Sequence, residues 1–412
     1  MSESAAASTR LHGIDLARAL AIIGMVYAHV GPVETNTLLL KIGDALTTGY
    51  ASATFAVLAG VSLSIISHTP SPTTTHRLLT RGILLMAIGT FLELIQSSIV
   101  VVLVAIGIIF VLLPPVARWK TRWVLLLFLL FLTLGPLAQT IALVLHTSVD
   151  ILSVPYPAFA WLTYGTLGIL IHRHVVHSLA WQCLLFIIGA GLATASVFAR
   201  PHFTENITVP APLWSYLNPE PHYGGLFDVL ASCGAAAAAI ACSLFITRIT
   251  VRPLYPLRAL GAMSLTFYVC HVLTAGPILD ASNQADSAVP KPGAVTTMTA
   301  TNNSKPAIAP TDPMEIHWHE YQALVQSHDT YNEFSKPELE FYNRIFAEER
   351  ENNKNFVAES PNHTPVFWIT LISGIIFAPI WRFFFRRGPL EWAMHHIIER
   401  SVRPEKSKEI AA

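Results

Sequence analysis

Gly13-Ile14-Asp15-Leu16-Ala17-Arg18-Ala19-Leu20-Ala21-Ile22-Ile23-Gly24-Met25-Val26-Tyr27-Ala28-His29 is an apolar stretch of helix length that carries three ionisable side chains. At about 100° per residue, the steps from Arg18 to His29 return to within roughly 20° of one direction, and Asp15 lies roughly 40° away. The three groups therefore share a face and point at one neighbour or one cavity. Each costs roughly 2.5 to 3.5 kcal/mol at membrane depth on insertion scales, so their alignment predicts a polar route through the protein. The plainer alternative is an internal ion pair plus a hydrogen-bonded histidine.

Composition agrees with a membrane setting. Of the 412 residues, 52% are hydrophobic and 13% charged, far below the roughly 25% charge of soluble domains. Apolar windows of helix length lie at about 13–33, 49–67, 79–96, 98–117, 123–146, 157–172, 178–199, 225–247, 259–279 and 364–384, which predicts an all-α polytopic bundle of about ten transmembrane helices. The start, Met1 to Thr9, is small and polar, and the first window lacks a following small-residue cleavage site, so it is expected to stay as a span. Cys183, Cys233, Cys242 and Cys270 all fall in apolar stretches, without the spacing of a disulfide framework or a zinc site.

Charge asymmetry orients the bundle. With a cytoplasmic N-terminus, the inner connections hold Arg77 and Arg81, then Arg118, Lys120 and Arg122, then Arg173, then Arg248, Arg252 and Arg258, then Arg382, Arg386 and Arg387; the short outer ones hold Lys41 and Arg200. That is the positive-inside pattern at every turn, and it places both termini in the cytoplasm. The expected organisation is a tail over 1–12, a membrane domain over 13–279, an extracytoplasmic acidic insertion over 280–363, a last span with its Gly-Pro-Leu-Glu-Trp segment over 364–396, and a cytoplasmic tail over 397–412.

The insertion begins as an Ala/Pro/Ser/Thr/Asn-rich tether. Asp312-Pro313-Met314-Glu315 and Ser335-Lys336-Pro337-Glu338 then each place a capping residue three positions before a glutamate, with proline in the first turn. This predicts a helical hairpin with Trp318, Tyr321, Phe334, Phe341, Tyr342 and Phe346, acting as a lid, as a docking surface for an envelope export or assembly protein, or merely as a spacer. His317, His319 and His328 lie there without a cysteine or a tight carboxylate set, so no metal is expected.

The remaining membrane-depth polar groups gather at the outer end: His29, Glu93 late in the third span, His222 and Asp228 opening the eighth, and His271 in the ninth on a face with Ser264 and Tyr268. Histidine beside a carboxylate is what general-base chemistry needs, because imidazole titrates near neutrality and the carboxylate fixes its tautomer. Asp15 and Arg18 lie about 16 Å from His29 on the 1.5 Å rise, near the inner surface, where Arg77 and Arg81 add charge for phosphates. No phosphate loop, nucleophile elbow or nucleic-acid signature appears in the sequence, so a nucleic-acid partner is not expected.

Several blocks resemble the transmembrane acyltransferase superfamily, specifically bacterial proteins similar to heparan-α-glucosaminide N-acetyltransferase. Gly13 to His29 resembles the G-x-D-x-x-R-x-x-A-x-x-G-M opening, Phe55 to Leu63 the F-A-x-L-A-G-V-S-L block, and Arg81 to Leu85 the start of the third span. His222 to Gly234 is similar to the H-x-G-x-x-F-D block, Leu260 to His271 to the G-x-M-S-L-T-x-Y-x-x-H block, and Gly388 to Trp392 to a C-terminal signature of related membrane proteins.

The resemblance implies acetyl transfer from cytoplasmic acetyl-CoA to a sugar or glycolipid acceptor beyond the membrane. A trehalose mycolate-type glycolipid of a bacterial envelope is among the candidate acceptors. Asp15 and Arg18 then belong to the donor end, with Arg77 and Arg81 nearby. His29 belongs to the transfer centre, with His222, Asp228, His271 and Glu93 as supporting groups. The animal enzyme has Asn at the position of His29, so that residue's role stays open between direct base and orienting group. Aligned polar groups also fit a transporter or flippase, although no inverted repeat or pair of broken helices in matching positions is evident. A non-catalytic envelope scaffold is the third reading.

Overall fold

The computed structural model describes residues 11–32, 49–68, 71–95, 99–145, 157–205, 211–288 and 363–402. These are helical, in chain order α1 His12–Val30, α2 Tyr50–His68, α3 Thr74–Ile95, α4 Leu103–Leu112, α5 Thr121–Val144, α6 Ala158–His174, α7 Leu179–Glu205, α8 Ala211–Leu217, α9 Leu226–Ile249, α10 Tyr255–Ala262, α11 Ser264–Ala288, α12 Thr364–Phe384 and α13 Pro389–Val402. The described residues within 11–203, 211–280 and 363–402 belong to one compact unit. The expected hairpin, with His317, His319 and His328, lies outside the described residues.

All ten apolar windows contain helix, but the expected count of ten spans is corrected. Among the described residues seven helices are long and apolar enough to cross a membrane, or eight if α10 and α11 are one span bent by 77°. The 98–117 window yields only the 10-residue α4, about 15 Å of rise against a hydrocarbon core of about 30 Å. Pro114 and Pro115 follow directly, and a proline supplies no amide to continue the helix. The 157–172 window yields the 17-residue α6, about 25 Å long. The 259–279 window breaks at Met263, where a new helix starts at Ser264.

Burial sorts the helices into an inner group and an outer ring. In α1, α2 and α9, 67% of the span is buried; in α3, α5, α7 and α12 the figure is 22–28%. The outer helices expose apolar side chains such as Leu94, Leu126, Ile187, Ile369 and Phe383, as expected where lipid rather than water is the solvent. Inside, α1 packs on α2, α9 and α10, α2 packs on α6, and α13 lies on α3.

Close packing without large side chains is what holds α2 to α6. A Cβ on Gly60 would strike the Gly165 carbonyl, and one on Gly168 would strike the Val57 carbonyl. In lipid, where apolar burial gives no preference for protein over tails, such small-residue contacts supply the association. They fix α2, and with it the row Ser52, Phe55, Ala59 and Ser62, which recurs at helical spacing.

Candidate functional site

Two cavities lie end to end along α1, α2 and α11. The larger, of about 360 Å³, has as its charged and polar lining Arg18, Ser62, Arg81, Ser264, Arg386, Arg387, Glu391 and His395. The smaller, of about 60 Å³, is lined by Met25, Ala28, His29, Gly49, Ala51, Ser52, Val100 and His222, and both cavities share Phe55, Val102 and Tyr268.

The arginine cavity is built from distant parts of the chain. Arg18 donates to Asp15 Oδ1 at 3.1 Å on its own helix and to Ser62 Oγ at 2.8 Å on α2. Asp15 is only 3% exposed, so its carboxylate depends on Arg18 for charge compensation. Ser62 in turn donates to the Leu58 carbonyl at 2.8 Å, leaving its oxygen to accept from Arg18. Arg81 lies over the Phe110 ring at 5.1 Å.

The C-terminal segment closes this cavity. Glu391 accepts from the Leu265 and Thr266 amides at 2.8 and 3.1 Å and from the Thr266 hydroxyl at 2.5 Å, while Thr266 Oγ accepts from the Leu390 amide at 3.1 Å. A carboxylate thus caps the first turn of α11, where unpaired amides and the helix dipole favour an anion. A Cβ on Gly388 would approach Met263 to 3.0 Å and clash with Glu391, which accounts for glycine there. Burial first, then Arg387, hold the His395 pKa below the ordinary imidazole value, so the cavity's positive charge comes from its four arginines. Arg77 is not among them: it pairs with Glu399 at 3.1 Å and ties α3 to α13.

The histidine cavity is smaller and differently made. His29 Nδ1 lies 3.0 Å from His271 Nε2, and the rings are parallel within 8° with centroids 5.3 Å apart. His271 is 1% exposed and does not line the cavity; it stands behind His29. A hydrogen bond between two imidazole nitrogens makes the tautomers complementary. When His29 Nδ1 donates, His29 Nε2 carries a lone pair and is a base. When His271 Nε2 donates, His29 Nε2 carries the proton and is a donor. Interconverting the two takes a proton gained at His29 Nε2 and one lost from His271 Nδ1 as well as the proton moved across the bond.

His222 reaches the same cavity from the turn between α8 and α9. Its φ is +66°, a left-handed conformation rare for a residue with a side chain, and such strain persists where the surroundings over-determine it. Asp228, 2% exposed, is one such constraint: it accepts from the Gly224 amide at 2.9 Å and from Ser232 Oγ at 3.3 Å. Its carboxylate therefore grips the backbone of the turn, whereas the sequence reading expects it to orient an imidazole. A void of about 10 Å³ touches both His222 and Asp228. Burial, and secondarily the nearby Arg200, hold the His222 pKa below its ordinary value. Arg200 also donates to Tyr50 Oη at 2.9 Å, bracing the start of α2.

Of the sequence candidates, then, His29, His271 and His222 come together, Asp228 holds the turn of one of them, and Asp15, Arg18 and Arg81 come together at the other end. Glu93 is exposed on α3 and lines neither cavity. Ser62, Arg386, Arg387 and Glu391 were missed as site residues. Their signal was present, in the F-A-x-L-A-G-V-S-L and Gly-Pro-Leu-Glu-Trp blocks and the adjacent arginine pair, but nothing in linear sequence shows that the C-terminal segment folds back onto α1 and α3. Among the described residues no group of three or more His, Cys, Asp or Glu side chains is placed to hold a metal ion.

Residues 10–188 match the protein family described as heparan-alpha-glucosaminide N-acetyltransferase, catalytic. Among curated proteins and solved structures nothing matches the chain. The matched residues include Asp15, Arg18, His29, Phe55, Ser62, Arg81 and Val102, whereas His222, His271 and the C-terminal arginines lie beyond them. The chain is a multi-pass membrane protein whose residues 10–188 are similar to the heparan-alpha-glucosaminide N-acetyltransferase catalytic family.

Proposed function

We propose that the protein is a membrane-embedded acetyltransferase that takes acetyl-CoA at the arginine cavity and delivers the acetyl group to a sugar or glycolipid acceptor at the histidine cavity. The observation that carries this reading is the alignment of a cationic cavity and a histidine cavity along the same three helices, within a chain whose residues 10–188 carry the family match. The arginines suit the donor's phosphates, since guanidinium groups bind phosphate oxygens through paired, charge-assisted hydrogen bonds. Positive-inside charge puts this end in the cytoplasm of a bacterial cell, with both termini there and 280–363 outside.

The chemistry follows from the tautomers. With His271 accepting from His29 Nδ1, His29 Nε2 takes the proton of the acceptor hydroxyl or amine as that atom attacks the thioester carbonyl. The carbon–sulfur bond then breaks, and the departing thiolate takes the proton from His29 Nε2. His222, held neutral, is placed to orient the acceptor. A flippase needs a lipid-wide continuous route, and the division between the cavities at Phe55, Val102 and Tyr268 favours transfer over permeation.

The acceptor belongs to the envelope; a trehalose mycolate-type glycolipid is one candidate, and the 280–363 insertion is the segment proposed to meet an envelope partner. The test compares envelope glycolipids by mass spectrometry in cells with the protein, without it, and with His29→Ala. We expect one or more species to lose 42 mass units, the mass an acetyl adds, in the second and third cases alike. Identical glycolipid profiles in all three would overturn the proposal.

A further inference from the structure

We propose that Phe55, Val102 and Tyr268 form a collar between the two cavities that passes only a slender, unbranched acyl-carrier arm and limits the transferred group to a short acyl chain. These three residues line both cavities. They come from α2, from the segment before α4, and from α11. Tyr268, 4% exposed, accepts from the Val102 amide at 3.1 Å, so the ring is pinned by its hydroxyl to the opposite wall. Phe55 meets the same ring edge-on, with centroids 6.4 Å apart at 85°. Two aromatic rings and a backbone amide thus meet at one level of the route.

The chambers on either side differ in kind. On one side lie about 360 Å³ and four arginines; on the other lie about 60 Å³ and His29. The histidine chamber is the tighter of the two, so the group that enters it is expected to be small. An acetyl group is a short acyl group, and each added methylene asks for more room in that chamber. This inference rests on the proposed acyl transfer for its substrate, but the collar itself does not.

The decisive experiment needs no catalysis. Cys183, Cys233, Cys242 and Cys270 are replaced by alanine in the full-length chain, and a single cysteine is introduced as Ala59→Cys in the arginine cavity or Ser52→Cys in the histidine cavity. Methanethiosulfonate ethylsulfonate, which does not cross membranes, is applied to sealed vesicles from the arginine face. Ala59→Cys is expected to react and Ser52→Cys to resist. Adding Phe55→Ala should speed the Ser52→Cys reaction at least tenfold. Tyr268→Phe, which keeps the ring and removes the hydrogen bond to Val102, should give a smaller increase and guards against a folding defect in Phe55→Ala. Equal reaction of Ala59→Cys and Ser52→Cys with the collar intact, no acceleration by either substitution, or no reaction of Ala59→Cys would each overturn the proposal.

Acyl-chain selection is read with acetyl-, butyryl- and octanoyl-CoA. The unmodified chain should prefer acetyl over octanoyl by more than tenfold, and Phe55→Ala should cut that preference to below threefold. An unchanged chain-length profile in Phe55→Ala sinks the selectivity claim. Labelling that behaves as expected in a protein that transfers nothing defeats the proposed reaction and leaves the collar standing. Transfer without a labelling barrier does the reverse.

Discussion

The arginine cavity and the histidine cavity solve opposite problems with the same helices. The first is about six times larger than the second, at about 360 against 60 Å³, and its cations come from α1, α3 and the stretch before α13. Its charges are held by neighbours: Asp15 and Ser62 hold Arg18, and the Phe110 ring lies under Arg81. The second contains no formal charge beyond what its imidazoles gain, and it is held by a parallel histidine pair and a strained turn. Binding a polyanion asks for many fixed charges in a roomy space; moving one proton asks for few groups in a small one. The difference predicts that damage at one end changes chemistry and damage at the other changes affinity.

The largest effect should follow His29→Ala. Removing a general base costs about 10²- to 10⁴-fold in rate, so turnover with labelled acetyl-CoA should fall by that order while acetyl-CoA binding, read by calorimetry, stays within about twofold. A parallel loss of binding would erase the distinction between the two ends.

Arg18→Ala should be next, and its effect should fall on stability as well. Asp15 is buried with Arg18 as its charge partner, and stripping one member from a buried pair costs about 3–5 kcal/mol. Arg18→Ala should therefore unfold at lower temperature in detergent than Ser62→Ala, which removes one hydrogen bond of about 1 kcal/mol. Equal melting of the two variants would mean that Asp15 is not dependent on Arg18.

Arg386→Ala with Arg387→Ala should raise KM for acetyl-CoA by about tenfold with kcat little changed, since an interaction made equally in the ground and transition states affects KM alone. The increase should shrink as salt is added, because the two side chains are exposed and screened. A fall in kcat at constant KM would move these arginines out of the donor role.

The smallest effect is the titration of His222. Burial and Arg200 lower its pKa, so the neutral form persists as pH falls past the ordinary value of about 6.5, and charging occurs only below it. Imidazole ¹³C shifts, assigned by loss of the signal in His222→Gln, should show this midpoint below that value. A midpoint above it would mean the turn exposes the ring.

Much of this was legible in the sequence where helical periodicity carried it. Asp15, Arg18 and His29 share a face because 100° per residue requires it. Span counting failed at α4, at the 17-residue α6 and at the α10–α11 break; apolar composition does not register the effect of Pro114 and Pro115 on the first or of a new helix start at Ser264 on the last. Glu93 misled because depth along a helix says nothing about which way the side chain faces; here it faces outward. Asp228 was singled out by its depth beside His222, yet the partners of its carboxylate include the Gly224 amide and Ser232, which no spacing rule discloses. Arg386, Arg387 and Glu391 were missed as site residues because their place depends on α13 folding back onto α3, a contact between residues more than 300 apart, such as Arg77 and Glu399.

The most direct test separates the two ends across a sealed membrane. Purified protein is placed in vesicles with labelled acetyl-CoA on the arginine face and a mixture of envelope glycolipids confined to the opposite leaflet. Label should appear on a glycolipid of that opposite leaflet, and His29→Ala should abolish it while leaving acetyl-CoA bound. Labelling that occurs only when donor and acceptor share one face would contradict a route running from Arg18 to His29.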